Sequence, residues 1–296
     1  MKPTRFTLLP SLAPLGNEIT GLDLSQPLDA KTFAELREAY NQCSVLVFRN
    51  QVLTPEQQIR FSRGFGELEI HVMARYLLPG HPEIFRVSNI VENGQRIGGS
   101  GEFWHTDLSY VAEPSRGSLL YSVEVPVRNG VVLGDTEFAS TAAAYDALPA
   151  AMQKKLEGLK AVHRYGDIYN KIAQSRGGPA LTEDQKKQTP DVIHPVVLVH
   201  PFSGRKSLFI NEGFTVGIVG MPDDEAQTLL RELYDHTTRP EFIYRHKWQV
   251  GDLIMWDNWA TVHRATGGYT AEERRLLHRT TLKASPEFRQ SVAACA

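Results

Sequence analysis

Apolar and polar positions alternate along this chain in many short runs, and glycine, proline or asparagine closes most of them. Alternation with a period of two predicts strands with one buried face, so residues 5–25 should form a short pair of strands. Similar runs predict further strands at residues 44–49, 85–90, 119–125, 131–133, 196–199, 207–210, 242–248, 252–257 and 276–282. Apolar spacings of three and four residues predict helices at residues 29–42, 54–64, 141–148, 149–159 and 223–236.

Many short strands, few helices and no regular alternation between the two argue against a doubly wound parallel sheet. The pattern is typical of a mostly-β, jelly-roll-like double sheet with helices packed outside. The chain has 296 residues, 42% of them hydrophobic, which suffices for one large domain or two small ones.

Two segments carry no periodicity. Residues 92–101 are rich in glycine, asparagine and glutamine and should form an exposed loop. Residues 165–193 are the least regular part, and a long loop inside a compact enzyme is often a lid or a binding loop. A disordered insertion without a role is the alternative that composition leaves open for residues 165–193.

The charge balance excludes several classes of partner. The chain has 32 lysines and arginines against 34 aspartates and glutamates, and no basic stripe indicates nucleic-acid binding. The two cysteines, Cys43 and Cys295, lie far apart, which argues against a disulfide scaffold and fits a reducing cytoplasm. With no signal segment and no apolar run of membrane-spanning length, no membrane span is expected.

The chemistry concentrates in the run Trp104-His105-Thr106-Asp107. Residues 102–110 are strand-compatible, and on a strand the two-residue step puts His105 and Asp107 on one face. A second imidazole, for which we select His263, would complete a two-histidine, one-carboxylate site that suits Fe(II) and leaves coordination positions open. The same three ligands also suit zinc, and His-x-Asp alone can be a hydrogen-bonded structural pair.

Further motifs lie before and after this run in the chain. They are Gly16 to Leu24, Gly134-Asp135-Thr136, Trp256 to Trp259, His263 to Thr266 and Arg274 to Arg279. Together they resemble the taurine dioxygenase / 2,4-D dioxygenase family of Fe(II)- and 2-oxoglutarate-dependent oxygenases, over residues 6–283. The resemblance implies a distorted double-stranded β-helix, a single oxygenase domain over residues 1–296 with inserts, and a homo-oligomer, either dimer or tetramer.

The resemblance also implies roles for individual residues. His105, Asp107 and His263 would hold the iron. Arg275, in a strand that should run next to the metal strand, would bind the distal carboxylate of 2-oxoglutarate with the bidentate fork of its guanidinium, and the Thr136 hydroxyl would help to hold the same cosubstrate. Arg279, at the anionic end of the pocket, and His71 would contact the substrate. Asn89 and Ser109 are further candidates for substrate contact, with turn or strand hydrogen bonding as their alternative.

Other conspicuous side chains are expected to be structural: His200, His278, and the tryptophans Trp104 and Trp256 as walls that pack the metal strands. The implied reaction consumes O2 and 2-oxoglutarate, hydroxylates a small organic anion and releases succinate and CO2. Residues 200–208 and 244–248 resemble the 2,4-D type more than the taurine type, which favours a carboxylate, such as an aryloxyalkanoate-like acid, over a sulfonate or alkyl sulfate. The alternatives are a zinc-dependent hydrolase, which leaves Arg275 unexplained, and a non-catalytic small-molecule-binding protein.

Overall fold

Short strands dominate the fold. A computed structural model of the protein describes residues 5–71, 73–98, 101–175 and 180–294. In chain order the strands are β1 (Thr7–Leu9), β2 (Asn17–Thr20), β3 (Val45–Phe48), β4 (Leu77–Leu78), β5 (His81–Ser88), β6 (Val91–Glu92), β7 (Gln95–Arg96), β8 (Gly117–Glu124), β9 (Val127–Arg128), β10 (Val131–Val132), β11 (Thr136–Ser140), β12 (Lys160–His163), β13 (Val192–Pro195), β14 (Val197–Val199), β15 (Lys206–Leu208), β16 (Thr215–Ile218), β17 (Ile243–His246), β18 (Leu253–Asp257), β19 (Thr261–Ala265) and β20 (Leu276–Leu282).

The helices lie between and outside these strands. They are α1 (Ala30–Cys43), α2 (Pro55–Arg63), α3 (Thr141–Asp146), α4 (Ala150–Leu156), α5 (Gly166–Ser175), α6 (Glu183–Gln188), α7 (Asp223–Thr237) and α8 (Pro286–Ala294), with 3₁₀ turns at Ala74–Tyr76 and Pro240–Phe242. Local chemistry starts α2: the Thr54 hydroxyl accepts from the Gln57 N–H, and the Gln57 side chain accepts from the Thr54 N–H. None of the described helices has both the length and the apolar content to cross a bilayer.

The largest sheet has eight strands in the order β1-β2-β3-β18-β8-β20-β5-β4. Its strands are antiparallel except for β2 beside β3. A second sheet, β17-β11-β19, and a third, β13-β12-β16, are antiparallel, and three hairpins pair β6 with β7, β9 with β10 and β14 with β15.

Both faces of the large sheet are buried, because its central strands alternate between two cores. On β3, Leu46 and Phe48 pack with helices α1 and α2, whereas Val45 and Val47 belong to the core shared with β11 and β18. The second core contains Phe138 of β11 and therefore lies between the large sheet and the β17-β11-β19 sheet. The predicted double sheet with outer helices is confirmed.

The strand predicted over residues 102–110 is wrong. His105 forms an isolated bridge, Asp107 begins a turn, and Leu108 adopts a left-handed φ of 56° that no strand accommodates. The prediction rested on residue types typical of strands. In the fold, those residues pack around a cavity and the backbone turns to place them there.

Two expected loops contain regular structure. Residues 165–193 hold α5 and α6, and residues 92–101 include the second half of the β6–β7 hairpin and the buried Ile97. Residues 99–100 and 176–179 fall outside the described part of the chain. Several elements had no sequence prediction, among them the short strands β11 and β19, which are central to the site, and the C-terminal helix α8.

Candidate active site

The two candidate metal histidines are joined through their backbones. The His105 N–H donates to the His263 carbonyl at 3.0 Å, and the His263 N–H donates to the His105 carbonyl at 2.7 Å. His263 lies on β19, whose register with β11 places it opposite Phe138. The imidazole rings consequently face each other with centroids 4.2 Å apart.

The carboxylate of Asp107 completes the group. Its Oδ1 lies 3.9 Å from His105 Nε2, and the three side chains offer ligand atoms within 4.8 Å of one another. Ser118 on β8 donates to Oδ2 at 2.7 Å, and Arg279 on β20 donates to Oδ1 at 2.8 Å. Burial alone would raise the pKa of the Asp107 carboxyl, but Arg279 and the two imidazoles outweigh it and hold that pKa below its usual range.

Both imidazoles are prepared to act as ligands. The His105 Nδ1 lies 2.8 Å from the Phe103 carbonyl, so that nitrogen carries the proton and Nε2 presents its lone pair. The His263 Nδ1 is buried without a hydrogen-bond partner among the described residues. Burial lowers the pKa of both histidines, which favours the neutral, ligating form. These three residues fit a divalent ion such as Fe(II), and as a donor set they fit zinc equally.

A cavity of about 180 Å³ opens beside this group. Arg275 lines one side with only 2% of its surface exposed. Its Nη2 donates to the Gly134 carbonyl at 3.3 Å, while its Nε is buried without a partner among the described residues. Burial lowers the pKa of Arg275, as expected of a cation removed from water. Thr136 lines the same side and accepts a hydrogen bond from Trp248 Nε1 at 3.0 Å.

Arg279 and His71 also line the cavity. The Arg279 guanidinium lies 4.8 Å from the centre of the Phe85 ring, and its Nε is buried with no partner in the described residues. The anionic partner expected for Arg279 is therefore at least partly the protein's own Asp107. The His71 ring packs 4.7 Å from the Phe85 ring, and burial, reinforced by Arg279, lowers its pKa to about 4.

The other predicted substrate residues do not line the cavity. Asn89 uses its side-chain amide on the backbone of residues 270–275, and the Ser109 hydroxyl accepts from Asn211 Nδ2 at 3.0 Å. Structural hydrogen bonding, the alternative considered for both, describes what they do in the fold. His200 is structural as expected, since its Nε2 bonds Asp257 Oδ2 at 2.9 Å.

Two further expectations need correction or refinement. Arg275 was expected on a strand beside the metal residues, but it directly precedes β20, which pairs with β5 and β8 rather than with β19. Trp256 does form a cavity wall, whereas Trp104 is buried behind the site under Arg264. His278 is half-buried on β20, beside the core.

Sequence reasoning missed the residues that shape the rest of the cavity. Its aromatic wall is built by Phe103, Tyr110 and Phe214, with the Tyr110 and Phe214 ring centroids 4.7 Å apart. Phe214 comes from a distant segment, and no local pattern marks it. Ser118 was missed as well, although the alternation of β8 would have placed it on the same face as Leu120, which lines the cavity.

Comparison with known proteins identifies this arrangement. The family described as "Taurine catabolism dioxygenase TauD, TfdA family" matches residues 7–281. The alpha-ketoglutarate-dependent 2,4-dichlorophenoxyacetate dioxygenase of Cupriavidus pinatubonensis is 39% identical over 278 residues, which span 89% of this chain and 92% of that protein. A putative alpha-ketoglutarate-dependent taurine dioxygenase from Burkholderia xenovorans superposes with a TM-score of 0.78 at 35% identity, covering 95% of this chain and 93% of its own.

A crystal structure of AAD-2 in complex with Mn(II) and N-oxalylglycine superposes with a TM-score of 0.80 at 31% identity. The match covers 96% of this chain and 99% of that one. The family match over residues 7–281 includes His105, Asp107 and His263. The chain therefore belongs to the TauD, TfdA family and is an Fe(II)- and 2-oxoglutarate-dependent dioxygenase.

Proposed function

We propose that this enzyme hydroxylates a small organic anion and that a carboxylate is the favoured substrate. The observation that carries the proposal is Arg279. Its guanidinium lines the cavity next to Asp107. The Arg279 Nε is buried and has no hydrogen-bond partner among the described residues. An unpaired buried donor is costly, so a substrate oxyanion that accepts from it is strongly favoured.

Other residues of the same cavity would hold the metal and the cosubstrate. His105, Asp107 and His263 would hold Fe(II), and the ion together with 2-oxoglutarate and O2 would supply the oxidising chemistry, with succinate and CO2 as co-products. Arg275 binds the distal carboxylate of 2-oxoglutarate through its buried guanidinium, and the Thr136 hydroxyl supports the same group.

The remaining residues orient the substrate and exclude water. Arg279 anchors the anion beside the metal carboxylate, and His71, neutral above its pKa of about 4, offers a hydrogen bond next to it. The aromatic rings of Phe103, Tyr110 and Phe214 form an apolar wall that suits an aryl group. A flat aryl carboxylate fits this combination better than a small, fully hydrated sulfonate. An alkyl sulfate would use the anion site but not the aromatic wall.

The site also argues against the two alternatives, a zinc-dependent hydrolase and a non-catalytic binding protein. A zinc-dependent hydrolase would need only the three ligands and an activated water, which leaves a fully buried guanidinium without a purpose. A non-catalytic binding protein would have no need for a three-ligand group with open coordination positions.

Residues 165–193 act as a lid in this proposal. Tyr165, directly before α5, packs 4.5 Å from the Tyr110 ring of the cavity wall, so a movement of α5 would reach the substrate. The chain is one domain over residues 1–296 that works as a homo-oligomer. Its two cysteines, Cys43 and Cys295, suit the reducing cytoplasm as its location.

Spectroscopy and product analysis test the proposal together. Protein loaded anaerobically with Fe(II) should develop a weak visible charge-transfer band when 2-oxoglutarate is added. In air, succinate release should then be highest with aryloxyalkanoates in a panel that also contains alkyl carboxylates, sulfonates and alkyl sulfates. A metal-loaded protein without the band would favour the hydrolase or binding protein, and a preference for sulfonates would refute the carboxylate assignment.

A further inference from the structure

The backbone of Arg275 is not held by the sheet that follows it. The β20 ladder starts one residue later, where Leu276 pairs with Ser88 of β5, and the pairing of β20 with β8 is irregular between Leu276 and Leu277. The position of Arg275 must therefore be set by something other than strand pairing.

Two consecutive side chains at the end of β5 provide that support. The Arg275 N–H donates to Asn89 Oδ1 at 2.8 Å, and the Ser88 hydroxyl donates to the Arg275 carbonyl at 2.7 Å. Both backbone groups of Arg275 are thus satisfied by side chains instead of a partner strand. We call Ser88 and Asn89 the Arg275 clamp.

The same amide also fixes the loop that leads to Arg275. Asn89 Nδ2 donates to the Thr270 carbonyl at 3.0 Å and to the Glu273 carbonyl at 2.9 Å. Residues 266–275 have no helix or strand, so these bonds fix the loop locally. Tyr269 of this loop lies over the Arg275 guanidinium, with the Arg275 Cζ 5.9 Å from the ring centre.

We propose that the Arg275 clamp is a positioning device for the cosubstrate and that Asn89 acts through Arg275, without touching the substrate. The inference rests on the proposed role of Arg275 toward 2-oxoglutarate. A bidentate guanidinium–carboxylate pair depends on the orientation of the guanidinium, and a misplacement of about 1 Å can cost on the order of a hundredfold. Loss of the clamp lets Arg275 and its loop shift. The affinity for 2-oxoglutarate then falls, while the affinities for the metal and the organic substrate do not.

The test compares Asn89→Ala and Ser88→Ala with the unmodified enzyme. In each variant the KM for 2-oxoglutarate should rise about ten- to hundredfold, and saturating 2-oxoglutarate should restore kcat. Calorimetry with the Mn(II)-loaded protein should show the same loss of 2-oxoglutarate affinity, with unchanged Mn(II) affinity and an unchanged KM for the organic substrate. Arg274→Gln is the matched control, because it alters an exposed neighbour of Arg275 that pairs with Glu124 and leaves the clamp intact.

The outcomes separate the inference from the function on which it rests. If Asn89→Ala raises the KM for the organic substrate and spares 2-oxoglutarate, Asn89 contacts substrate and the inference is wrong. It is equally wrong if both clamp variants bind 2-oxoglutarate normally while Arg275→Gln loses that affinity. If Arg275→Gln itself binds 2-oxoglutarate normally, the proposed cosubstrate site fails. Because the two clamp residues are tested separately, one variant that does not fold still leaves the other as a test.

Discussion

A single methyl group added at Gly101 should weaken metal binding without altering any candidate ligand. The Gly101 φ lies outside the left-handed region, so alanine meets no backbone strain there. Its β-carbon, however, would lie 2.4 Å from His105 Cε1 and 2.9 Å from Nε2, the nitrogen that faces Asp107.

The size of the effect follows from how tightly the His105 ring is held. Ordinary van der Waals contact begins near 3.4 Å, so the ring edge must retreat by about 1 Å. The retreat is opposed by the Phe103 ring at 4.8 Å, the His263 ring at 4.2 Å and the hydrogen bond from Nδ1. Metal–ligand distances vary by only about 0.2 Å from their ideal values. Disturbing the contacts that orient a ligand typically lowers the metal affinity about ten- to hundredfold, or by about 1.4–2.8 kcal/mol.

Titration of the metal-free protein with Mn(II), without 2-oxoglutarate, measures this loss directly. Gly217→Ala is the matched control, because its β-carbon meets nothing within 4 Å and its affinity should not change. A folded Gly101→Ala variant that binds Mn(II) as tightly as the parent would refute the reasoning, since the His105 ring would then not be confined as described.

Three other variants test separate parts of the structure. Asp107→Ala should abolish succinate release, because it removes a metal ligand; residual turnover above background would exclude Asp107 from that role. Arg279→Gln should raise the KM for an anionic substrate about ten- to hundredfold, which corresponds to the loss of a charge-assisted hydrogen bond of about 1.5–3 kcal/mol. The KM for 2-oxoglutarate should rise less. The opposite ranking of the two KM values in steady-state kinetics would reassign Arg279. The buried His163, whose pKa is lowered to about 3 by burial and then by His194, takes up a proton more readily in the unfolded chain. Stability should therefore fall as the pH drops below about 6.5 toward 3, and His163→Phe should flatten that part of the urea-denaturation profile; an identical profile would mean that His163 is not buried in its neutral form.

Local signals explain which parts of the fold could be predicted from the sequence. The Thr54–Gln57 capping box marks the start of α2, and the uninterrupted apolar face of α7 marks that helix. Both signals involve residues close together in the chain, so the sequence alone locates the two helices. Strand β20 was also predicted with its observed bounds, residues 276–282. Strands β11 and β19 were not predicted, because they pair with segments far away in the chain, and a local sequence pattern does not register such pairing.

The site shows the same division between residue identity and geometry. The three candidate ligands and both predicted arginines line one cavity. The stated reason for the His105–Asp107 proximity was wrong, because the segment is not a strand: His105 forms an isolated bridge and a turn begins at Asp107. Asn89 was a candidate for substrate contact, with turn or strand hydrogen bonding as the alternative. Its hydrogen bonds to residues 270–275 join segments far apart in the chain, which no single-sequence pattern reveals.

The reciprocal backbone bonds between His105 and His263 have a consequence for ion exchange. Because peptide groups tie the two imidazoles together, chelation requires no folding step, and the ion can depart and return while the chain stays assembled. A preassembled pair of this kind ranks ions by intrinsic affinity, so Co(II), Ni(II) or Cu(II) would displace Fe(II) wherever they are free in solution. The iron content of the enzyme is then governed by which ions its surroundings supply, more than by any selectivity that the fold imposes.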